Sequence, residues 1–230
     1  MVPIKPVMVS HVRAQSLSKR PVQEKRVQTL PFITISRQFG CVAYELAERL
    51  AARLNADKPI KPWEVYDRKL LEELTVRESI TPDRVREMAK RTRSVLDDIF
   101  MESIAGAPAE IDVFKRLMRT MLDIAADGHA VIVGRGAGIA TKHLPGGVHV
   151  RLIAPLEWRL ENLKKSPDRR QEATMRNLKR IDLEREKFIR QYLNADINDP
   201  LQYQIVLNCE RLTMEEQLES VVALVRLREE

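Results

Sequence analysis

Three groups of residues in this 230-residue chain have side chains or backbone suited to holding phosphate. The first is Ser36-Arg37-Gln38-Phe39-Gly40, which follows the β-forming run Phe32-Ile33-Thr34-Ile35. It precedes a helical pattern with Leu46, Leu50 and Leu54 four residues apart. Strand, tight loop and helix in that order aim the first amides of the helix at an anion. Arg37 either contacts that anion or caps the sheet. The second group is Arg135, held between Gly134 and Gly136 directly after an apolar run. Its planar fork of donors suits phosphate, or it pairs with a loop carboxylate. The third lies in a helical pattern whose apolar stripe is Leu178, Ile181, Phe188 and Tyr192. Asp182 and Arg185 fall four and seven residues after Leu178, on that same inward face. They form either a working pair or a structural ion pair. Asp67, at the end of Trp63-Glu-Val-Tyr-Asp67, contacts a bound substrate or only caps the next helix.

These groups need a scaffold that gathers them at one edge. Strand patterns occur at residues 32–35, 63–66, 129–133, 148–153 and 203–207. The run at 129–133 shows no alternation, as expected of a central parallel strand buried on both faces. A helix is expected from about Val42 to Asn55, and another after Asp67 through Leu70, Leu71 and Leu74. Residues 81–126 read as helical, with Thr81-Pro82 and Ser94-x-x-Asp97 as starts. Their last helix carries Phe114, Leu117, Met121 and Ala125 and ends at Asp127-Gly128. Ala154-Pro155 opens a further helix, Ser166-Pro167-Asp168 opens one running to about Leu193, and Thr213-x-x-Glu216 is a capping box for the last. Strands separated by helices give an α/β architecture with a mainly parallel sheet and helices on both faces. Ligands of such sheets bind outside the carboxyl ends of the strands, here the loops after Ile35, Tyr66, Val133, Ile153 and Leu207.

Composition narrows the classes. Hydrophobic residues are 44% and charged residues 31%, which fits one sizeable α/β domain. No apolar run approaches the roughly 20 residues that cross a bilayer, and no signal-peptide core opens the chain, so no membrane partner is expected. Cys41 and Cys209 have no metal-binding spacing, and no metal ligands are expected; a reducing cytoplasmic location is the default. The net charge of +6 is concentrated in residues 1–29, which carry six Lys or Arg and only Glu24 as an acid. That segment reads as a basic, disordered tail, and nucleic acid is an unlikely partner except weakly through it. His129, His143 and His149 form no triad, and Trp63 and Trp158 read as packing residues. The oligomeric state is not legible.

Several stretches together resemble the cytidylate kinase-like family of P-loop kinases. They are Ile33-Thr-Ile-Ser-Arg-Gln-Phe-Gly40, Tyr66-Asp67, Val131-Ile-Val-Gly-Arg-Gly-Ala137, Val150-Arg-Leu-Ile-Ala-Pro155, Asp182-x-x-Arg185-x-x-Phe188, and Asp199-Pro-x-x-Tyr203 running into Ile205-Val-Leu-Asn208. They occur in family order, and the resemblance spans residues 32–225. It implies a three-layer α/β/α P-loop NTPase fold over residues 30–230, with a helical acceptor-side region at 67–126 and a lid-like helix and loop at 166–200. It implies ATP with Mg2+ as phosphoryl donor and a nucleoside monophosphate, CMP or dCMP, as nucleotide substrate. By the same resemblance Arg37, Gly40, Cys41, Val42, Ala43, Tyr44 and Glu45 lie at the ATP phosphates. Asp67, Arg135 and Arg180 lie at the acceptor, and Asp182 and Arg185 are catalytic.

The first loop departs from the family pattern. Relatives have glycines followed by a basic residue, whereas this chain reads Gly40-Cys-Val-Ala-Tyr-Glu45. Glycines let backbone amides approach phosphate, and β-branched Val42 does not. Tyr44 stands where a basic side chain would neutralise phosphate, and Glu45 near where a hydroxyl would meet magnesium. The position four before Asp182, often Arg in cytidylate kinases, is Leu178; Lys179, Arg180 or Arg176 could substitute. These departures leave a second reading, a degenerate kinase fold that binds a nucleotide or a protein partner without phosphoryl transfer.

Overall fold

The structure, a computed structural model, describes residues 30–67 and 108–229. The basic tail and the helix starts expected at Thr81 and Ser94, with the helix expected after Asp67, lie outside them. Five strands form one sheet: β1 (Phe32–Arg37), β2 (Glu64–Tyr66), β3 (Ala130–Val133), β4 (Gly147–Ile153) and β5 (Ile205–Asn208). Their order is β2-β3-β1-β4-β5 and every pairing is parallel. The helices are α1 (Ala43–Asn55), α2 (Pro108–Asp127), α3 (Ala137–Ala140), α4 (Leu156–Lys165), α5 (Met175–Leu193) and α6 (Met214–Glu229).

Alternation along β1 and β4 divides the interior. Ile33, Ile35, Val148, Val150 and Leu152 face α1 and α6, meeting Leu46, Leu50 and Leu54 on one and Leu218, Val221, Val222 and Val225 on the other. On the opposite face Phe32 and Ile132 pack on Leu117, Met121 and Ala125 of α2. Phe188 and Ile189 of α5 join Phe114 and Ile139 there. Helices therefore cover both faces of the sheet. Each fully buried large side chain in these clusters contributes roughly 1.5–3 kcal/mol relative to exposure.

Two histidines are buried beside these clusters. His149 Nδ1 lies 2.8 Å from Thr34 Oγ1. Burial, with Arg228 nearby, lowers the His149 pKa to about 4. His129 stacks on Trp63 with ring centroids 4.9 Å apart, and its Nδ1 is 2.6 Å from the Lys61 carbonyl. Both histidines hold structural positions.

Apart from strand ends that move by one or two residues, the structure departs from the sequence-based expectation at these places. The stretch expected as one helix from 168 is a 3-10 turn, Pro167–Glu172, followed by a break and then α5. Thr174 is extended there and its side chain accepts the Asn177 N–H, so the cap and not Ser166-Pro167 starts the helix. The last strand begins at Ile205 rather than Tyr203, because the Tyr203 hydroxyl turns back to donate to the Ile197 carbonyl at 2.8 Å. The short α3, entered through left-handed Gly136, had no periodic signal of its own. The capping box before α6 forms as expected, with Thr213 N–H to Glu216 Oε2 at 2.8 Å and Glu216 N–H to Thr213 Oγ1 at 3.3 Å.

β1 has β3 on one side and β4 on the other. The chain therefore crosses over β1 between β3 and β4, which opens a crevice at the carboxyl end of β1.

Candidate functional site

The crevice is a cavity of about 260 Å³ lined by cations from four elements. Arg37 and Gln38 come from the end of β1, Arg151 from β4, Arg159 from α4, and Lys179, Asp182, Arg185 and Glu186 from α5. Asn198 closes it from the loop before β5. Five cationic side chains against two carboxylates give the cavity a positive lining of the kind that attracts anions.

Arg159 fixes the rim. It is buried, donates through Nε to the Ala154 carbonyl at 3.1 Å and through Nη1 to the Phe39 carbonyl at 3.0 Å, and pairs with the Asp182 carboxylate. Asp182 in turn accepts the Phe39 N–H at 2.8 Å. Asn162 donates to the Gly40 carbonyl at 2.7 Å, and Gln38 Oε1 accepts the Ala154 N–H at 3.0 Å. Gly40 is left-handed at φ +97, and a Cβ there would meet Arg159 Cβ at 2.8 Å, so this glycine is required by both conformation and space. The first loop is thus clamped by α4 and α5, and the carboxylate of Asp182 rests on one of its amides.

The other loop residues lie in two environments. Cys41 and Ala43 are buried. The neighbouring Cys209 and burial push the Cys41 thiol up, and the side chain packs in the core with α1 and α6. Val42 starts α1 without a side-chain cap. Tyr44 and Glu45 are on the exposed side of α1, outside the cavity. The charge of Glu48 raises the Tyr44 pKa, and Glu45 bonds Arg49 at 2.7 Å, which turns its charge along the helix.

Arg37 and Arg185 meet at the cavity. Arg185 Nη1 donates to the Arg37 carbonyl at 3.0 Å, and its guanidinium carbon stands 5.5 Å from the Phe39 ring centroid. The Arg37 guanidinium lies against Gly134, where a Cβ would collide with it. Arg135 follows in a left-handed conformation, φ +55, between Gly134 at +85 and Gly136 at +74. Such a run is rare for a residue with a side chain and is held by its surroundings. Ile189 and Leu193 of α5 fill the space over Gly136. Asp67 ends the described part of the chain after β2, half-buried.

The structure therefore brings Arg37, Asp182 and Arg185 together. Arg180 is exposed, bonded to Glu184 and, at 2.8 Å, to Asn177 Oδ1, and Lys179 lines the cavity instead. Arg151, Arg159 and Asn198 had not been singled out. For Arg151 a signal existed: a cation inside the strand run Val148-His-Val-Arg-Leu-Ile153, on the same alternating face as His149. Arg159 and Asn198 had none, since their roles depend on how α4 and the final loop fold back.

For magnesium, the described residues contain no group of three His, Cys, Asp or Glu side chains that could hold a metal ion. For the phosphates of ATP the donor chemistry fits, with guanidinium and ammonium groups at the end of β1. No helix among the described residues is long and apolar enough to cross a membrane.

Comparisons with known proteins agree with this fold. The family described as "Cytidylate kinase-like family" matches residues 32–211. An uncharacterized protein from Eubacterium ventriosum has a similar structure, with a TM-score of 0.63 at 18% identity, covering 86% of this chain and 99% of that one. Shikimate kinase from Bacteroides thetaiotaomicron is similar at a TM-score of 0.50 and 17% identity, covering 87% of this chain and 99% of that one. At these identities the likeness is one of fold. No curated protein matches the sequence.

Proposed function

The chain belongs to the cytidylate kinase-like family, and from that premise we propose that it is a nucleotide kinase-like phosphotransferase. Its reaction would move a phosphoryl group from ATP to a nucleoside monophosphate such as CMP or dCMP. The observation that carries this reading is the cation-lined cavity at the carboxyl end of β1, where an α/β sheet binds its ligand. Phosphoryl transfer asks the protein chiefly for positioning and charge neutralisation. Arg37, Lys179 and Arg185 would hold the transferring phosphates. Arg135, presented at the end of β3, would clamp the acceptor monophosphate, and Asp67 at the end of β2 would contact the acceptor nucleoside. Bound ATP would supply the phosphoryl group, and magnesium would be held chiefly by its phosphates and water, as is usual for this ion in kinase sites.

One observation favours a second reading, a kinase fold that binds nucleotide without transferring phosphate. The Phe39 amide, which would face phosphate in an open loop, already donates to Asp182. Tyr44 and Glu45 bring no positive charge to replace the missing basic residue. A coupled assay of ATP consumption across nucleoside monophosphates separates the two. Turnover at roughly 1–100 per second with one monophosphate supports transfer. Binding of nucleotide in calorimetry with no turnover supports the second reading.

A further inference from the structure

Arg151 is a cation of this cavity to which the transfer reading gives no task and, unlike Arg159, it has no carboxylate paired with it among the described residues. It stands within β4, in register with Ser36 of β1, and is 5% exposed. Its Nη1 donates to Ser36 Oγ at 2.8 Å and its Nη2 to Asn198 Oδ1 at 3.1 Å. Both partners are neutral. Among the described residues no carboxylate forms an ion pair with it. The two acids of the cavity are taken elsewhere: Asp182 by Arg159, and Glu186 by Arg190 at 2.8 Å. A guanidinium keeps its charge in a protein. Buried charges are ordinarily paired, because a partner must offset the loss of water. Arg151 is therefore a buried cation that faces a cavity and forms no ion pair among the described residues; the charge of Asp182 reaches it only from beyond ion-pair distance.

The rest of the lining says what would pair with Arg151. Arg37, Arg159, Lys179 and Arg185 surround the same space, so the cations outnumber the charges of a single phosphate monoester. A planar fork inside a cavity favours an oxyanion with several equivalent oxygens. We infer that Arg151 and Asn198 form an inner oxyanion subsite, set back along β4 from the Phe39–Gly40 loop, that takes one phosphoryl group of a linear polyphosphate. The outer phosphoryl groups of the same chain lie toward Arg37 and Lys179. This subsite rests on the cavity being a phosphate site, and it does not require that a phosphoryl group be transferred.

The test uses the full chain with sodium tripolyphosphate at low ionic strength, read by isothermal and scanning calorimetry. The wild type binds and its Tm rises, since a ligand of the native state stabilises it by mass action. Arg151→Gln removes the charge and weakens binding by about tenfold or more, the scale of a lost charge-assisted hydrogen bond. Asn198→Asp places a carboxylate at Arg151 Nη2, so the unliganded variant melts higher than wild type and loses the tripolyphosphate shift. If Arg151→Gln does not fold, Asn198→Asp decides the matter by itself. Wild-type affinity in the folded variants, or no Tm rise in the wild type, overturns the subsite. CMP, with one phosphate, gives a smaller shift than tripolyphosphate, and equal shifts overturn the assignment to a polyphosphate. A tripolyphosphate shift without kinase turnover strikes the transfer reading and leaves the subsite standing. Turnover with an unchanged ATP KM in Arg151→Gln strikes the subsite and leaves the transfer reading standing.

Discussion

The Phe39 amide donates to the Asp182 carboxylate at 2.8 Å, joining the loop after β1 to the middle of α5. The other oxygen of that carboxylate meets Arg159, which also holds the Phe39 carbonyl. One acidic side chain thus connects the first loop, α4 and α5, and it does so with an anion placed against a backbone amide.

Asp182→Asn should leave an oxygen for Phe39 but remove the counter-charge of Arg159, whose side chain is 7% exposed. Breaking a buried pair from one side is costly. Because the Asp182 side chain is 24% exposed, the expected loss is at the lower end of the usual range, about 3 kcal/mol. Urea unfolding of the two proteins measures it, and equal midpoints and slopes would show that Arg159 is already solvated.

His149 makes stability depend on pH. Its folded pKa of about 4 lies below the ordinary 6.5, so the unfolded chain takes up its proton first. The contribution is complete above about pH 6.5, is lost as pH falls from there, and levels off below about 4. Its full size is on the order of 3 kcal/mol. His149→Gln should flatten the slope of unfolding free energy between pH 6.5 and 4.5; an identical slope in the variant assigns the dependence to other groups.

Arg135→Ala should weaken CMP or dCMP binding by roughly 1.5–3 kcal/mol if the guanidinium clamps the monophosphate, the range for hydrogen bonds to charged groups. Arg and Ala both carry a Cβ, so a left-handed φ of +55 is disfavoured alike in the two proteins. Calorimetry with equal affinities for both proteins removes Arg135 from the acceptor site.

The first loop can be rebuilt toward its relatives. Val42→Gly, Ala43→Gly and Tyr44→Arg together should raise ATP affinity by restoring backbone approach and one positive charge. Stability should fall by about 1–2 kcal/mol, from added unfolded-chain entropy and from the loss of the buried Ala43 methyl. A variant that folds but binds ATP no better shows that the Asp182 contact, and not the loop composition, governs this amide.

Much of the sheet was legible because its signals are local. The run Val131-Ile-Val133 reads as a strand buried on both faces, and it pairs with β1 and β2 on its two sides. The Thr213 and Glu216 capping box likewise needs only four residues. Arg180 shows where phase was available and not followed. At 100° per residue it lies roughly 200° from Leu178, so it points away from the inward stripe. The Arg159 and Asp182 pair could not be read, because the 3-10 turn and break between their helices set the relative phase. Arg151 is legible by alternation alone, since it shares with His149 the polar face of the strand run Val148-His-Val-Arg-Leu-Ile153.

The parallel register has a kinetic consequence. Ile33 pairs with Val131 on one side and Val148 on the other, both about a hundred residues downstream. At synthesis speeds of roughly 5–20 residues per second, β1 emerges from the ribosome about 5–20 seconds before either partner emerges. For that interval Phe32-Ile-Thr-Ile35 has two unpaired edges and an apolar face, the features of a strand that recruits its own kind. Yield of soluble chain should therefore respond to slower, cooler expression and to holdase chaperones, because the vulnerable species is the nascent strand and not the finished sheet.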